Sequence, residues 1–408
     1  MVALKLKTFA EPSPDFLNLQ WSTPLDEWPE ETAVRLPRGR HRHIVRFIEH
    51  DGQHYALKEL PGQFAELEYR NLEFLGEADL PVVELVGIAT DRVDDAGRPL
   101  DSVLITKHLT YALPYLHLFA GSAGPKLHVR VVDALAILLV RLHLNGFFWG
   151  DCSLGNALFR RDAGALMAYL VDTETSEIHE TLTDGQRALD LSIATDNFAG
   201  GLFELEAMGK LSPDIDPIDV VELLQARYDQ LWNELTATRV VNANELWQIH
   251  QRLARLNELG FDTIELEIVE RDGKRRIEFR PRVVEEGHHR RELHKLTGIE
   301  AQENQARRLL GALYGYGAWL ANEEGKELPI AIQAYRWLME RYHPTLDKIP
   351  DNLRSRLYDA ELYHQILDHL WYLSEAAGTD VGITVAVENY RDTILASLPD
   401  ERSIIEHD

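Results

Sequence analysis

The chain has 408 residues, 45% of them hydrophobic and 27% charged, and a net charge of −25; that length implies two or three domains and that composition a folded chain. One cysteine, Cys152, excludes an internal disulfide framework and a multi-cysteine zinc centre, and the acidic balance argues against nonspecific binding of nucleic acid or anionic membrane through the whole surface. The richest apolar stretch, Val131–Leu144, is interrupted by Asp133, Arg141 and His143, and the N-terminus lacks a basic-then-apolar leader, so a cytoplasmic enzyme without a membrane span is expected.

Residues 1–30, rich in Pro, Trp and acids, read as an extended or loosely docked arm. Thr32–Leu36 reads as a strand, and Arg38-Gly39-Arg40-His41-Arg42-His43 as a basic loop. Ile44–Glu49 and His54–Glu59 are strands joined by the turn signal Asp51-Gly52. Past Pro61-Gly62, the apolar positions Phe64, Leu67, Leu72 and Leu75 predict an amphipathic helix. Val82–Thr90 and Val103–Thr106 add two strands, with a turn-rich segment between them. A buried helix is predicted over Leu127–Asn145, stopped by Gly146. A loop then leads to two short strands, Ala157–Arg160 and Met167–Val171, and helices dominate from about Ala188. Helical periodicity returns over Val220–Thr238 and Asn242–Leu259. Residues 263–284 alternate like a hairpin around Asp272-Gly273, and Thr297 with Glu300 has capping-box spacing before a further helix.

Phosphoryl transfer needs a cation on the nucleotide phosphates, oxygen ligands for magnesium, and a carboxylate to orient the attacking hydroxyl. These parts occur here in order. Tyr55-Ala56-Leu57-Lys58 ends a strand with a lysine, and Glu68 or Glu66 on the next helix is its candidate partner. In Trp149-Gly150-Asp151-Cys152-Ser153-Leu154-Gly155-Asn156, the asparagine lies five positions after the aspartate. Asp172 follows the apolar strand Tyr169-Leu170-Val171.

This series resembles the protein-kinase-like superfamily, in particular lipopolysaccharide kinases and aminoglycoside phosphotransferases. The resemblance covers about residues 32–210. It implies an α+β fold, a bilobal kinase-like domain with an antiparallel-sheet N-lobe and a helical C-lobe. It places the N-lobe at 31–110 and the C-lobe core at 111–212, before a mostly helical domain at 213–408. It further implies ATP and Mg²⁺ as cofactors and a hydroxylated small molecule or a protein as substrate. Asp151 would be the catalytic carboxylate, Lys58 the phosphate-binding cation, and Asn156 and Asp172 the metal ligands, with Glu174 an added oxygen. Asp190 and Asp196 are alternative braces of the catalytic loop.

The sequence departs from the pattern in three places. Trp149-Gly150 stands where His-Arg is usual, Thr173-Glu174 where Phe-Gly is usual, and the phosphate loop around Arg38, Gly39 and Arg40 has one glycine. Arginines there can contact phosphate or form a solvated loop. A pseudokinase or nucleotide-responsive scaffold therefore stands as an alternative, and a nucleotidyl transferase reusing the same metal site is a further one. Cys152 reads as a small packed side chain. Beyond the kinase-like part, Arg290–Gly298 and Gln302–Arg308 resemble the uncharacterised bacterial family DUF4032. This is also the most basic stretch of the chain. Arg276, Arg280 and Arg282 share a strand face by parity, so residues 271–308 are a candidate site for a phosphorylated ligand or RNA, or a run of surface salt bridges.

Overall fold

The computed structural model describes residues 4–9, 16–29, 43–113, 115–119, 127–236, 239–242, 266–271, 274–279, 287–326 and 328–401. The expected strand at 32–36, the loop residues Arg38, Gly39 and Arg40, residues 243–259 of the helix expected over 242–259, the turn Asp272-Gly273, and Arg280 and Arg282 lie outside them. The chain divides into two compact units: residues 1–160, 168–229 and 404–408, and residues 161–167 with 230–403.

The first unit opens with a five-stranded antiparallel sheet. Its strands are β1 (Lys5–Thr8), β2 (Ile44–His50), β3 (Gln53–Leu60), β4 (Leu85–Thr90) and β5 (Ser102–Lys107), in the order β1-β4-β5-β3-β2. Asp51 and Gly52 both take positive φ in the β2–β3 turn, which lets two residues reverse the chain. Alternation along the strands gives the sheet two apolar faces. Tyr55, Leu57, Val103 and Ile105 pack on one face with Phe16, Trp21, Leu25 and Trp28. Leu60, Ile88 and Leu104 pack on the other with Ala65, Tyr69 and Leu72 of helix α1 (Gly62–Glu77).

The N-terminal segment is thus no loose arm. Its β1 forms the sheet edge against β4, and a buried polar clamp holds residues 16–29. Arg92 donates to the carbonyls of Trp21 (3.1 Å) and Thr23 (2.6 Å) and to Glu59 (2.5 Å). The Leu25 amide donates to Glu59 Oε2 at 3.0 Å, and Arg46 to the Leu25 carbonyl at 2.8 Å. These partners are far apart in sequence, which is why composition alone suggests a loose tail.

Helices α2 (Tyr115–Phe119) and α3 (Leu127–Leu144) begin the second lobe. Gly146 (φ 74°) stops α3, and strand β6 (Phe147–Phe148) leads into the loop ending at Asn156. Strands β7 (Ala157–Asp162) and β8 (Ala165–Leu170) form a hairpin, and β9 (Glu177–Ile178) pairs with β6. Helix α4 (Asp184–Ala207) starts at a capping box between Thr183 and Gln186, and α5 (Pro217–Thr236) follows. The unit therefore has the expected kinase-like order, a sheet with one helix and then a helical lobe.

The second unit is mostly helical. Asn242, the expected first residue of a helix, instead ends strand β10 (Arg239–Asn242), which pairs with β12 (Lys274–Phe279), itself paired with β11 (Leu266–Arg271). Helices α6 (His288–Thr297), α7 (Glu303–Glu324), α8 (Ile330–Trp337), α9 (Asp359–Ala377) and α10 (Ile383–Thr393) close around Leu293, Leu309, Leu313, Trp337, Leu362, Ile366 and Tyr390. The expected capping box at Thr297 and Glu300 is not formed. Gly298, at φ 73°, ends α6 there, Thr297 Oγ1 turns back to the Leu293 carbonyl at 2.7 Å, and the box that starts α7 is Gln302 with Gln305. Asp162 also caps α7: it accepts from the amides of Asn304 (3.2 Å) and Gln305 (2.9 Å) and from Asn304 Nδ2 (3.0 Å), while burial raises its carboxyl to about 6. On α6, His288, Arg291, His294 and Lys295 are exposed, whereas His289 and the amide of Arg290 turn to Glu303.

Candidate active site

Lys58 faces Leu104 across the β3–β5 pair, so its side chain lies on the α1 side of the sheet. On α1, Ala65, Glu68, Tyr69, Leu72 and Leu75 form the inner stripe, while Glu66 is exposed. This decides between the two glutamates: Lys58 Nζ donates to Glu68 Oε2 at 2.9 Å. The same ammonium donates to Asp172 Oδ2 at 2.8 Å and lies 3.7 Å from Glu174. Glu68, Asp172 and Glu174 bring their ligand oxygens within 4.8 Å of one another. Asp172 Oδ1 accepts the Glu174 amide at 3.1 Å, and His43 Nε2 lies 2.7 Å from Glu174 Oε2.

The loop bearing Asp151 is held from three sides. Asp190 accepts from the amides of Trp149 (2.7 Å) and Gly150 (2.8 Å) and pairs with His143 Nε2 at 3.0 Å. It is the brace, where the sequence left Asp196 as an equal alternative. His143 Nδ1 in turn lies 2.6 Å from the Tyr228 hydroxyl. Gly150 takes φ 77°, and a Cβ there would lie 2.7 Å from the Thr175 carbonyl oxygen; no other residue satisfies both. Ser176 Oγ donates to the Trp149 carbonyl at 2.8 Å, and Asn71 Nδ2 donates to the carbonyls of Thr173 (2.8 Å) and Ser176 (3.3 Å). Asn156 Nδ2 donates to the Asp151 carbonyl (3.0 Å) and Oδ2 (3.2 Å), and the Val171 amide donates to the Asn156 carbonyl at 3.1 Å. That bond sets Asn156 beside the segment that leads from β8 to Asp172.

Lys58, Glu68, Asp151, Asn156 and Asp172 are thereby placed on segments that touch one another. Cys152 is buried, and burial together with Asp190 and Asp151 pushes its thiol up, as expected of a packed side chain. Sequence reading missed Asn71, Asn197 and the contact of His43. Asn197 Nδ2 donates to Asp151 Oδ1 at 2.9 Å, and its one sequence signal is that it sits two turns from Asp190 on α4.

Residues 33–193 match the lipopolysaccharide kinase (Kdo/WaaP) family. Residues 230–395 match a domain of unknown function, DUF4032. The first match supports a kinase-like phosphotransferase; the second carries no chemistry. A solved structure described as WaaP in complex with acyl carrier protein is 17% identical, over 62% of this chain and 99% of its own, with a TM-score of 0.35. No curated protein matches the chain. Among the described residues, no helix is long and apolar enough to cross a membrane.

Glu68 is 1% exposed, and burial pushes its carboxyl up to about 7 against the pull of Lys58. Burial also opposes the charge on Lys58, but Glu68 and Asp172 outweigh it and raise its pKa. Glu68 binds its proton more tightly folded than unfolded. Its contribution to stability is therefore present below the ordinary value near 4.5 and lost as pH rises through about 7. The midpoint of the first unit's own unfolding transition in the wild type is expected to fall relative to that in Glu68→Gln as pH is raised from roughly 5 to 8. A gap that stays constant over that range would mean Glu68 is ionised throughout.

Proposed function

We propose that the first unit is an ATP- and Mg²⁺-dependent phosphotransferase acting on a hydroxyl of a sugar, a lipid precursor or a protein. The observation that carries this reading is the contact of Lys58 with both Glu68 (2.9 Å) and Asp172 (2.8 Å). A lysine that merely decorated a strand would reach for water; this one is held between two carboxylates from separate elements.

Asp172 and Asn156 supply oxygen donors, the chemistry a hard divalent cation takes, and with Glu174 they are the residues that would hold it. Bound there, Mg²⁺ would neutralise charge on the phosphate oxygens. Lys58, kept charged by its carboxylates, binds α- and β-phosphate oxygens. Asp151 accepts a hydrogen bond from the substrate hydroxyl, orients its oxygen toward the γ-phosphorus, and takes the proton as the new P–O bond forms and the bond to the leaving ADP breaks. Arg38 and Arg40 belong to the loop expected to meet the phosphates.

Isothermal titration with ATP, with and without Mg²⁺, tests the reading. The wild type is expected to bind ATP in a Mg²⁺-dependent manner, and Asp172→Ala to weaken that binding about tenfold or more, as expected if this carboxylate would hold the ion. Binding that ignores Mg²⁺ and survives the substitution would instead favour a nucleotide-responsive scaffold. Absence of binding in both proteins would end the nucleotide reading.

A further inference from the structure

Residues 194–229 fall in neither family match, yet α4 carries its contact with the catalytic loop well into them. Asp190, Ala194, Asn197 and Gly201 recur at spacings of three and four, one face of the helix. Asp190 and Ala194 are fully buried. At Gly201 an added Cβ would lie 3.0 Å from Leu154 Cδ1, so the helix meets the loop there with no side chain between. This close approach brings Asn197 to Asp151.

The two carboxylate oxygens of Asp151 each have an amide donor. Oδ1 receives Asn197 Nδ2 at 2.9 Å, and Oδ2 receives Asn156 Nδ2 at 3.2 Å. A carboxylate turns easily about its last bond. One donor leaves that rotation open, whereas donors on both oxygens fix the plane. Asn156 lies on the same loop as Asp151, while Asn197 sits on the helix that braces the loop. We propose that Asn197 is a positioning residue for Asp151, setting the plane of the carboxylate that meets the substrate hydroxyl. The inference rests on the phosphotransferase reading of the site.

The test compares Asn197→Ala and Asn197→Asp with the wild type by two readouts: ATP–Mg²⁺ binding by titration, and ADP release with water as acceptor. Both variants are expected to bind within about twofold of the wild type and to lose about 10–100-fold in turnover, the usual scale for a misplaced reacting group. The aspartate is the informative variant. It keeps the shape of asparagine, so a packing role predicts turnover near that of the wild type. An orienting role predicts a loss at least as large as for alanine, because the donor is gone and a like charge faces Asp151. Wild-type turnover in either variant overturns the inference while leaving the phosphotransferase reading in place. If Asn197→Asp does not fold, Asn197→Ala carries the test through its unchanged binding and reduced turnover. A wild type that binds ATP–Mg²⁺ but releases no ADP, or that binds none, overturns the reading of the site and this inference with it.

Discussion

Asp151→Asn is expected to lower phosphoryl transfer about 10²–10⁴-fold while leaving ATP–Mg²⁺ affinity within about twofold, the range for loss of a positioned general base. The expectation follows from what the carboxylate touches. Its contacts are with Asn156 and Asn197, whereas Lys58 is engaged by Glu68 and Asp172. The nucleotide side of the proposed chemistry therefore keeps its charges in the variant. An amide cannot take the hydroxyl proton, and its NH₂ would face one of the two amide donors that now meet a carboxylate oxygen. The measurement pairs titration with ATP–Mg²⁺ and the rate of ADP release. A variant that binds normally and turns over normally would remove Asp151 from the chemistry. One that loses binding as well would place it among the nucleotide-holding groups.

Much of this site was legible because each part depends on a short stretch of chain. The Asp51-Gly52 turn, the lysine near the end of β3 and the Asp151–Asn156 spacing are local patterns with local causes. What pairs with what was legible only where periodicity speaks. Glu68, not Glu66, meets Lys58 because it shares the buried stripe of α1 with Ala65 and Leu72, a distinction of half a helical turn within a sequence offering both residues. The brace was ambiguous for the same reason, since Asp190 and Asp196 lie on one helix; Ala194 and Gly201, small residues in register with Asp190, were the available clue.

Other features were not legible from any local pattern. His43 reaches Glu174 across 131 positions, and Asn71 reaches Thr173 across 102. The N-terminal segment looks loose until Arg92 and Glu59 are seen to satisfy its backbone. Asp162 lies in the short segment between two expected strands, yet it is buried and caps α7. The capping box failed for a different reason. Two polar pairs at the right spacing lie five residues apart, and the positive φ of Gly298 selects the second by ending α6 first.

Removal of the brace is the second large effect. Asp190→Ala is expected to destabilise the first unit by about 3–5 kcal/mol, the scale for truncating one member of a buried, hydrogen-bonded polar set. The side chain is fully buried, and it satisfies the amides of Trp149 and Gly150 together with the His143 ring. Alanine removes the shared acceptor and leaves these buried donors without their protein partner, beside a glycine whose added Cβ would lie 2.7 Å from the Thr175 carbonyl oxygen. Asp190→Asn retains one acceptor oxygen and is expected to cost less, about 1–3 kcal/mol. Because the chain has two compact units, a single unfolding midpoint would blend their responses. Hydrogen exchange resolved by peptide separates them: protection of the amides at 149 and 150 should fall in both variants, and further in alanine, while that of α7 and α9 stays at the wild-type level. Equal protection at 149 and 150 in wild type and Asp190→Ala would show that the loop is held by Ser176 and the surrounding packing instead, and Asp190 would lose its role as the brace.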